Sequence, residues 1–183
     1  LLSSKQKYYC KQITDGVSSD IWHVKTASME YCIKRALAKL AVKEDWFAPI
    51  NRNNYEAKYF EHCKKIKPKS FPKILGHDSK NYILAMEWFD NKKFIVWKQK
   101  LLKKSVSLKD GKRIGRLLAI IHKSFLNKKK YKKIFLNDKT FYDIRIEPYL
   151  VYTSKFYPEF SDNYKSTIDF ITKKKTTVIH GDF

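Results

Sequence analysis

The stretch "CIKRALAKLAVKEDWFAPINRNNYEAKYFE", Cys32–Glu61, changes its hydrophobic period part-way along. Its opening, "YCIKRAL" when Tyr31 is included, is a short β-prone run that sets Lys34 between Ile33 and Arg35. After Pro49 the pattern turns helical. In "INRNNYEAKYFEHCKKI", Glu56, Phe60 and Cys63 recur at i, i+4 and i+7 and share one face, with Asn51 or Asn53 near the start as the expected cap. A strand that carries a lysine therefore runs into a helix that carries a glutamate.

Working outward, "KQIT" reads as a strand and "DGVSSD", Asp15–Asp20, as a turn. "IWHVKT" follows with period-two alternation. Downstream of the helix, "FPKILGHD" and "NYILAMEWF" read as two more strands, with Gly76–Asn81 as their turn. As far as Phe89 the order is three strands, a helix and two strands. The remainder is mainly helical. Ile114, Leu117, Leu118, Ile121 and Phe125 form a core-facing stripe, and "NKKKYKK" reads as a solvated loop. "IEPYLVYTSKFYPEF" predicts a helix from near Pro148 to near Pro158, and "DNYKSTIDFITKKK" another. "TTVI" then reads as a strand leading into His180-Gly181-Asp182. The expected class is α+β, divided into residues 1–90 and 91–183.

Composition bounds the alternatives. With 183 residues, 43% of them hydrophobic, the chain is long enough to bury a core and too apolar for a disordered tail. It has no apolar run of about 18 residues, so no membrane span is expected, and neither end has the order of a leader or a natural tail. Cys10, Cys32 and Cys63 match neither a zinc site nor a disulfide framework, which implies a reducing, cytoplasmic setting. The net charge of +21 raises a second function class, a basic nucleic-acid-binding domain. Five of the 39 basic residues are Arg (Arg35, Arg52, Arg113, Arg116, Arg145), leaving 34 Lys, and that scarcity of Arg counts against specific base readout. A dispersed, solvated lysine surface is the plainer reading.

Several residues in this order could carry phosphoryl-transfer chemistry. Gly16, Ser18 and Ser19 lie in the first turn, where backbone N–H groups and hydroxyls hold phosphate oxygens; an ordinary hairpin turn is the alternative. Lys34, held by Glu56, is placed to meet phosphates as a point charge. Each alone is an unremarked polar residue, and the pairing is what raises them. Asp182 follows the last strand-like run as a base for an attacking hydroxyl, or as a plain turn aspartate; His180 fits a structural role in the same loop.

On these residues the chain resembles the aminoglycoside phosphotransferase and choline kinase family. "VIHGDF" is similar to the family's catalytic loop, Cys32–Glu61 to its third strand and following helix, nearest the methylthioribose kinase-like branch, and "GRLLAIIHKS", with His122, to its first large helix of the second lobe. The resemblance runs from about Ile13 to Phe183. It implies a bilobal protein-kinase-like fold, with a first lobe of five antiparallel strands plus one helix and a mainly helical, incomplete second lobe. It implies ATP with Mg²⁺ as cofactors and a small-molecule hydroxyl as acceptor, with no specific nucleic acid and no membrane as partner. Lys34 would meet phosphates, Glu56 would hold Lys34, Glu87, Trp88 and Phe89 would form the hinge beside the base, and Asp182 would be the catalytic base. No residue in the chain is assigned to metal. The family's metal-binding Asn and Asp fall past Phe183, so a fragment inactive alone is expected, and a nucleotide-binding pseudokinase is a further alternative. Ala38 departs from the Pro of the methylthioribose branch. Trp46, Phe47, Arg52 and Arg145–Leu150 are the expected acceptor-side residues, with core or lobe contacts as the alternative.

Overall fold

The computed structural model describes residues 7–14 and 16–181. Packing divides the chain into two compact units, Leu1–Leu117 and Leu118–Phe183.

The first unit is built on a five-stranded antiparallel sheet of β1 (Tyr8–Ile13), β2 (Ser19–Thr26), β3 (Glu30–Ala36), β4 (Ile74–Asp78) and β5 (Ile83–Glu87). Their spatial order is β1-β2-β3-β5-β4. Helix α1 (Arg52–Ile66) lies in sequence between β3 and β4, as the change of period predicts. The pairing register sets which residues share a face: Ile21, Lys34, Leu84 and His77 lie in one cross-strand row, and His23, Cys32, Met86 and Ile74 in another. Helix α1 covers this face, where Ala57, Leu84 and Met86 form a buried cluster joined by Cys32, Phe60 and Ile74. Leu84 is fully buried, and removing a side chain of that size from water contributes about 2 kcal/mol.

Three local expectations need correction in this unit. Neither Asn51 nor Asn53 caps α1 by its side chain: Asn51 already has helical dihedrals without a side-chain bond, and Asn53 is buried inside the helix. Instead the first helical N–H groups of Arg52, Asn53 and Asn54 donate to the carbonyls of Pro49, Ile50 and Asn51. Gly76 belongs to β4 rather than to the turn, and sits where the register with β5 shifts by a bulge. Helix α2 (Trp97–Leu102) was not foreseen as a separate element.

Helix α3 (Leu108–Phe125) contains the division between the units. Its stripe appears as expected, half-buried at Ile114, Leu117 and Leu118 and fully buried at Ile121 and Phe125. Its N-terminus is closed by a reciprocal box: Asp110 N–H donates to Ser107 Oγ at 3.2 Å, and Ser107 N–H donates to Asp110 Oδ2 at 3.0 Å.

In the second unit the Phe125 ring meets Tyr131 and Phe135 edge-on at 4.9 Å and 5.7 Å. Those contacts explain why residues 129–134 form a short helix, α4 (Lys129–Ile134), where the lysine content predicts a loop. The next helix starts ten residues before the expected Pro148. It runs as α5 (Asp138–Phe141), a π-helical stretch Tyr142–Val151 that contains Pro148, and α6 (Tyr152–Ser154). Pro148 has no N–H for the Ile144 carbonyl four residues back and its ring crowds that turn, so the helix widens instead of ending. A 3₁₀ turn (Pro158–Phe160) leads into α7 (Ser161–Lys173). "TTVI" is not a strand: it joins no ladder among the described residues, and is held instead by Asn127 N–H donating to the Thr176 carbonyl at 3.3 Å and Thr177 Oγ1 donating to the His122 carbonyl at 2.9 Å. No helix among the described residues is long and apolar enough to cross a membrane.

Candidate functional site

Lys34 and Glu56 are the centre of the site in the first unit. The Lys34 ammonium donates to Glu56 Oε1 at 2.6 Å, across 22 residues of sequence, with side chains 21% and 26% exposed. The register puts Lys34 on the face covered by α1, and the helical period puts Glu56 one position before the buried Ala57. The order of strand and helix pairs these two residues in the sequence, and strand pairing and helix packing bring their side chains into contact. The pair leaves the ammonium fixed in direction and still accessible, which suits a cation that meets an anionic ligand.

The turn before β2 lies beside the connection from β3 to α1. Leu37 N–H donates to the Ser18 carbonyl at 3.2 Å and Ala41 N–H to the Val17 carbonyl at 2.8 Å. Ser19 and Asp20 are the first residues of β2 rather than turn residues, and Ser19 is buried. Gly16 does not take a positive φ, and a Cβ placed on it makes only ordinary contacts, with the Ile21 methyl at 3.5 Å and the Ser19 carbonyl oxygen at 3.8 Å. Asp15 lies outside the described residues.

Arg52 is the residue whose role the sequence did not show. Its guanidinium donates to four main-chain carbonyls: Ala48 at 3.1 Å, Pro49 at 2.8 Å, Leu37 at 2.7 Å, and Ser18. It thus ties the turn to the start of α1 rather than facing an acceptor. Burial lowers its pKa, opposed by Glu56 nearby, and the group stays charged. Little in the sequence signals this role, because two of the four carbonyls, those of Ser18 and Leu37, lie 34 and 15 positions back along the chain.

At the other end of the β2–β3 row, the His23 ring stacks on Trp88 with centroids 3.9 Å apart and planes 12° from parallel. His23 Nε2 also bonds Glu30 Oε2 at 2.9 Å, and Lys25 reaches Glu30 Oε1 at 2.8 Å. Hydrogen bonds from Lys25 and then His23 hold the Glu30 carboxyl below the usual carboxylate range. His23 was missed in the sequence because it reads only as one polar position of an alternating strand. Glu87 N–H donates to the Lys73 carbonyl at 2.9 Å and the Glu87 carboxylate accepts from Lys73 N–H at 3.1 Å, so this residue closes β5 onto the segment before β4. Phe89 stacks on Phe94 at 4.6 Å.

In the second unit, Gly181 has φ +75° and its carbonyl accepts from Arg145 Nε at 2.5 Å. Arg145, on the π-helical stretch, also donates from Nη1 to the Ile144 carbonyl at 2.9 Å. Asp182 lies outside the described residues. The thiols supply no nucleophile near Lys34: burial pushes Cys63 up to about 11 and raises Cys32 as well. Among the described residues no group of three or more His, Cys, Asp or Glu is gathered to hold a metal ion.

No protein-family model matches the chain, and a search of curated proteins finds no match.

Proposed function

We propose that this chain belongs to an ATP-dependent phosphotransferase acting on a small-molecule hydroxyl, with a bilobal kinase-like fold related to the aminoglycoside phosphotransferases and choline kinases. The observation that carries the reading is the Lys34–Glu56 pair at 2.6 Å, on the third strand and the helix that follows it. The sheet order, with α1 between β3 and β4, supports it.

The described residues fit the phosphate end of a nucleotide. Glu56 aims Lys34, and Arg52 holds the Ser18 carbonyl so that the turn keeps a fixed place beside the strand that carries Lys34. At the base end the ring surfaces of His23 and Trp88 are in contact at 3.9 Å, so a planar base stacks there in exchange for that contact. Bound ATP supplies the phosphoryl group. Lys34 neutralises phosphate charge, and Asp182 takes the proton of the acceptor hydroxyl. Among the described residues no group of three or more carboxylates, imidazoles or thiols is gathered where Mg²⁺ could be held.

The test is ATP consumption by the full protein against a panel of alcohols and sugars, with ATP-dependent thermal stabilisation measured in parallel. Asp182→Asn is expected to reduce turnover by about 10²–10⁴-fold while leaving stabilisation by ATP in place. Lys34→Ala is expected to abolish most of the stabilisation. Wild-type turnover in Asp182→Asn would end the catalytic assignment. Binding without turnover by the full protein would support the pseudokinase alternative.

A further inference from the structure

Pro148 and Gly181 stand 33 positions apart in the sequence and are linked through one side chain. The proline removes the N–H that an α-helix would offer to the Ile144 carbonyl. Arg145 Nη1 donates to that carbonyl at 2.9 Å, which orients the planar guanidinium. The remaining edge then presents Nε to the Gly181 carbonyl at 2.5 Å. Gly181 is suited to this approach in two ways. Its φ of +75° is one that L side chains rarely adopt, and a Cβ there would stand 3.2 Å from Arg145 Nε and 3.5 Å from Cγ.

We infer that Arg145 is a positioning residue: from the π-helical stretch it fixes the main chain at Gly181, the residue that precedes Asp182 in the sequence. This rests on the phosphotransferase reading, in which Asp182 is the base, and it reassigns Arg145 from the acceptor side to the loop. The chemistry needs such a device. A base misplaced by about 1 Å costs roughly 10²-fold in rate, and a glycine at positive φ has no side chain of its own to hold the turn. A guanidinium that bridges two carbonyls supplies the restraint, and an ammonium cannot span both in one plane.

The experiment is steady-state kinetics of the full protein with Arg145→Ala, Arg145→Lys, Gly181→Ala and the Arg145→Ala/Gly181→Ala double variant. In Arg145→Ala, kcat is expected to fall about 10–100-fold with the nucleotide KM within about twofold. Arg145→Lys, which keeps charge and aliphatic stem, should recover less than about a third of the lost rate. It also carries the test should the alanine variant not fold. Gly181→Ala should cost markedly less in the Arg145→Ala background than alone, because the 3.2 Å approach is gone. Unchanged kcat in Arg145→Ala, full recovery in Arg145→Lys, or strict additivity in the double variant would each overturn the positioning role while the phosphotransferase reading stood. An inactive wild-type protein would instead overturn both.

Discussion

Arg52, at the start of α1, and Lys34, on the central strand β3, are both cations of the first unit, yet they do different work because of what they meet. Arg52 faces main-chain oxygens at 2.7–3.1 Å from Ala48, Pro49 and Leu37, and also Ser18. Lys34 meets a single carboxylate. A fork with five donors in one plane can serve several carbonyls at once, whereas an ammonium serves one direction well. Arg52→Lys is therefore expected to destabilise the protein by about 2–4 kcal/mol, since bonds to a charged donor contribute about 1.5–3 kcal/mol each and the lysine replaces only part of the set. Urea unfolding measures this directly. Arg35→Ala, at an exposed position on the neighbouring strand, serves as the control and should stay within about 0.5 kcal/mol of wild type. Equal midpoints for Arg52→Lys and wild type would refute the clamp. A glycine comparison belongs at this scale too: Gly181 is required by its φ and by Arg145, whereas Gly16 is not required by its backbone.

Among the elements, α3 begins with the most complete local device in the chain. Lys100 Nζ lies 3.0 Å from Asp110 Oδ2, which also accepts from Ser107 N–H and Oγ–H. The Lys100 hydrogen bond, then those of Ser107, hold the Asp110 carboxyl down to about 2. The unfolded value is near 3.9, so the folded value is depressed. Its stabilisation is fully present above about pH 4 and is lost as pH falls through about 2. The gap in urea midpoint between wild type and Asp110→Asn should thus be constant from pH 7 to about 5 and narrow between pH 4 and 2.5. A gap that did not narrow would remove the ionised carboxylate from the account. The "SLKD" run that builds this box was present in the sequence, and its place before an apolar stripe is the usual sign of a helix start. What was legible followed strong periods: β2, β3, α1, the order around them and the α3 stripe. What was not legible depended on distant partners. The helix at residues 129–134 exists because Tyr131 and Phe135 reach Phe125, and "TTVI" fails as a strand because among the described residues it meets a loop N–H and a helix carbonyl, not a strand ladder. Pro148 misled for a third reason, since a widened helical turn accommodates a proline that an α-helix would not. In the site, the Lys34–Glu56 pair was legible from the order of elements, while the roles of Arg52, His23 and Arg145 also depend on distant groups: the Ser18 and Leu37 carbonyls, the Trp88 ring and the Gly181 carbonyl.

For the whole molecule, the charge of +21 and the proposed nucleotide site make separable claims about anions. A site built on Lys34 recognises phosphate through one oriented ammonium and adjoining surfaces, so its loss follows a single substitution. A solvated lysine surface binds polyanions through many equivalent contacts that release counterions, so no one residue matters and salt matters greatly. Single-stranded DNA is accordingly expected to bind the wild-type protein and Lys34→Ala equally, and to lose on the order of 10³-fold in affinity between 50 and 200 mM salt if about six or more phosphates are contacted. Over the same salt range, stabilisation by ATP should remain dependent on Lys34. Fluorescence anisotropy with a labelled oligonucleotide and thermal unfolding with ATP measure the two properties on the same samples. Sequence-selective DNA binding that survived 0.5 M salt, together with ATP stabilisation indifferent to Lys34, would move the function from phosphoryl transfer to nucleic acid, because the arrangement around Lys34 and Glu56 would then have no ligand to explain it.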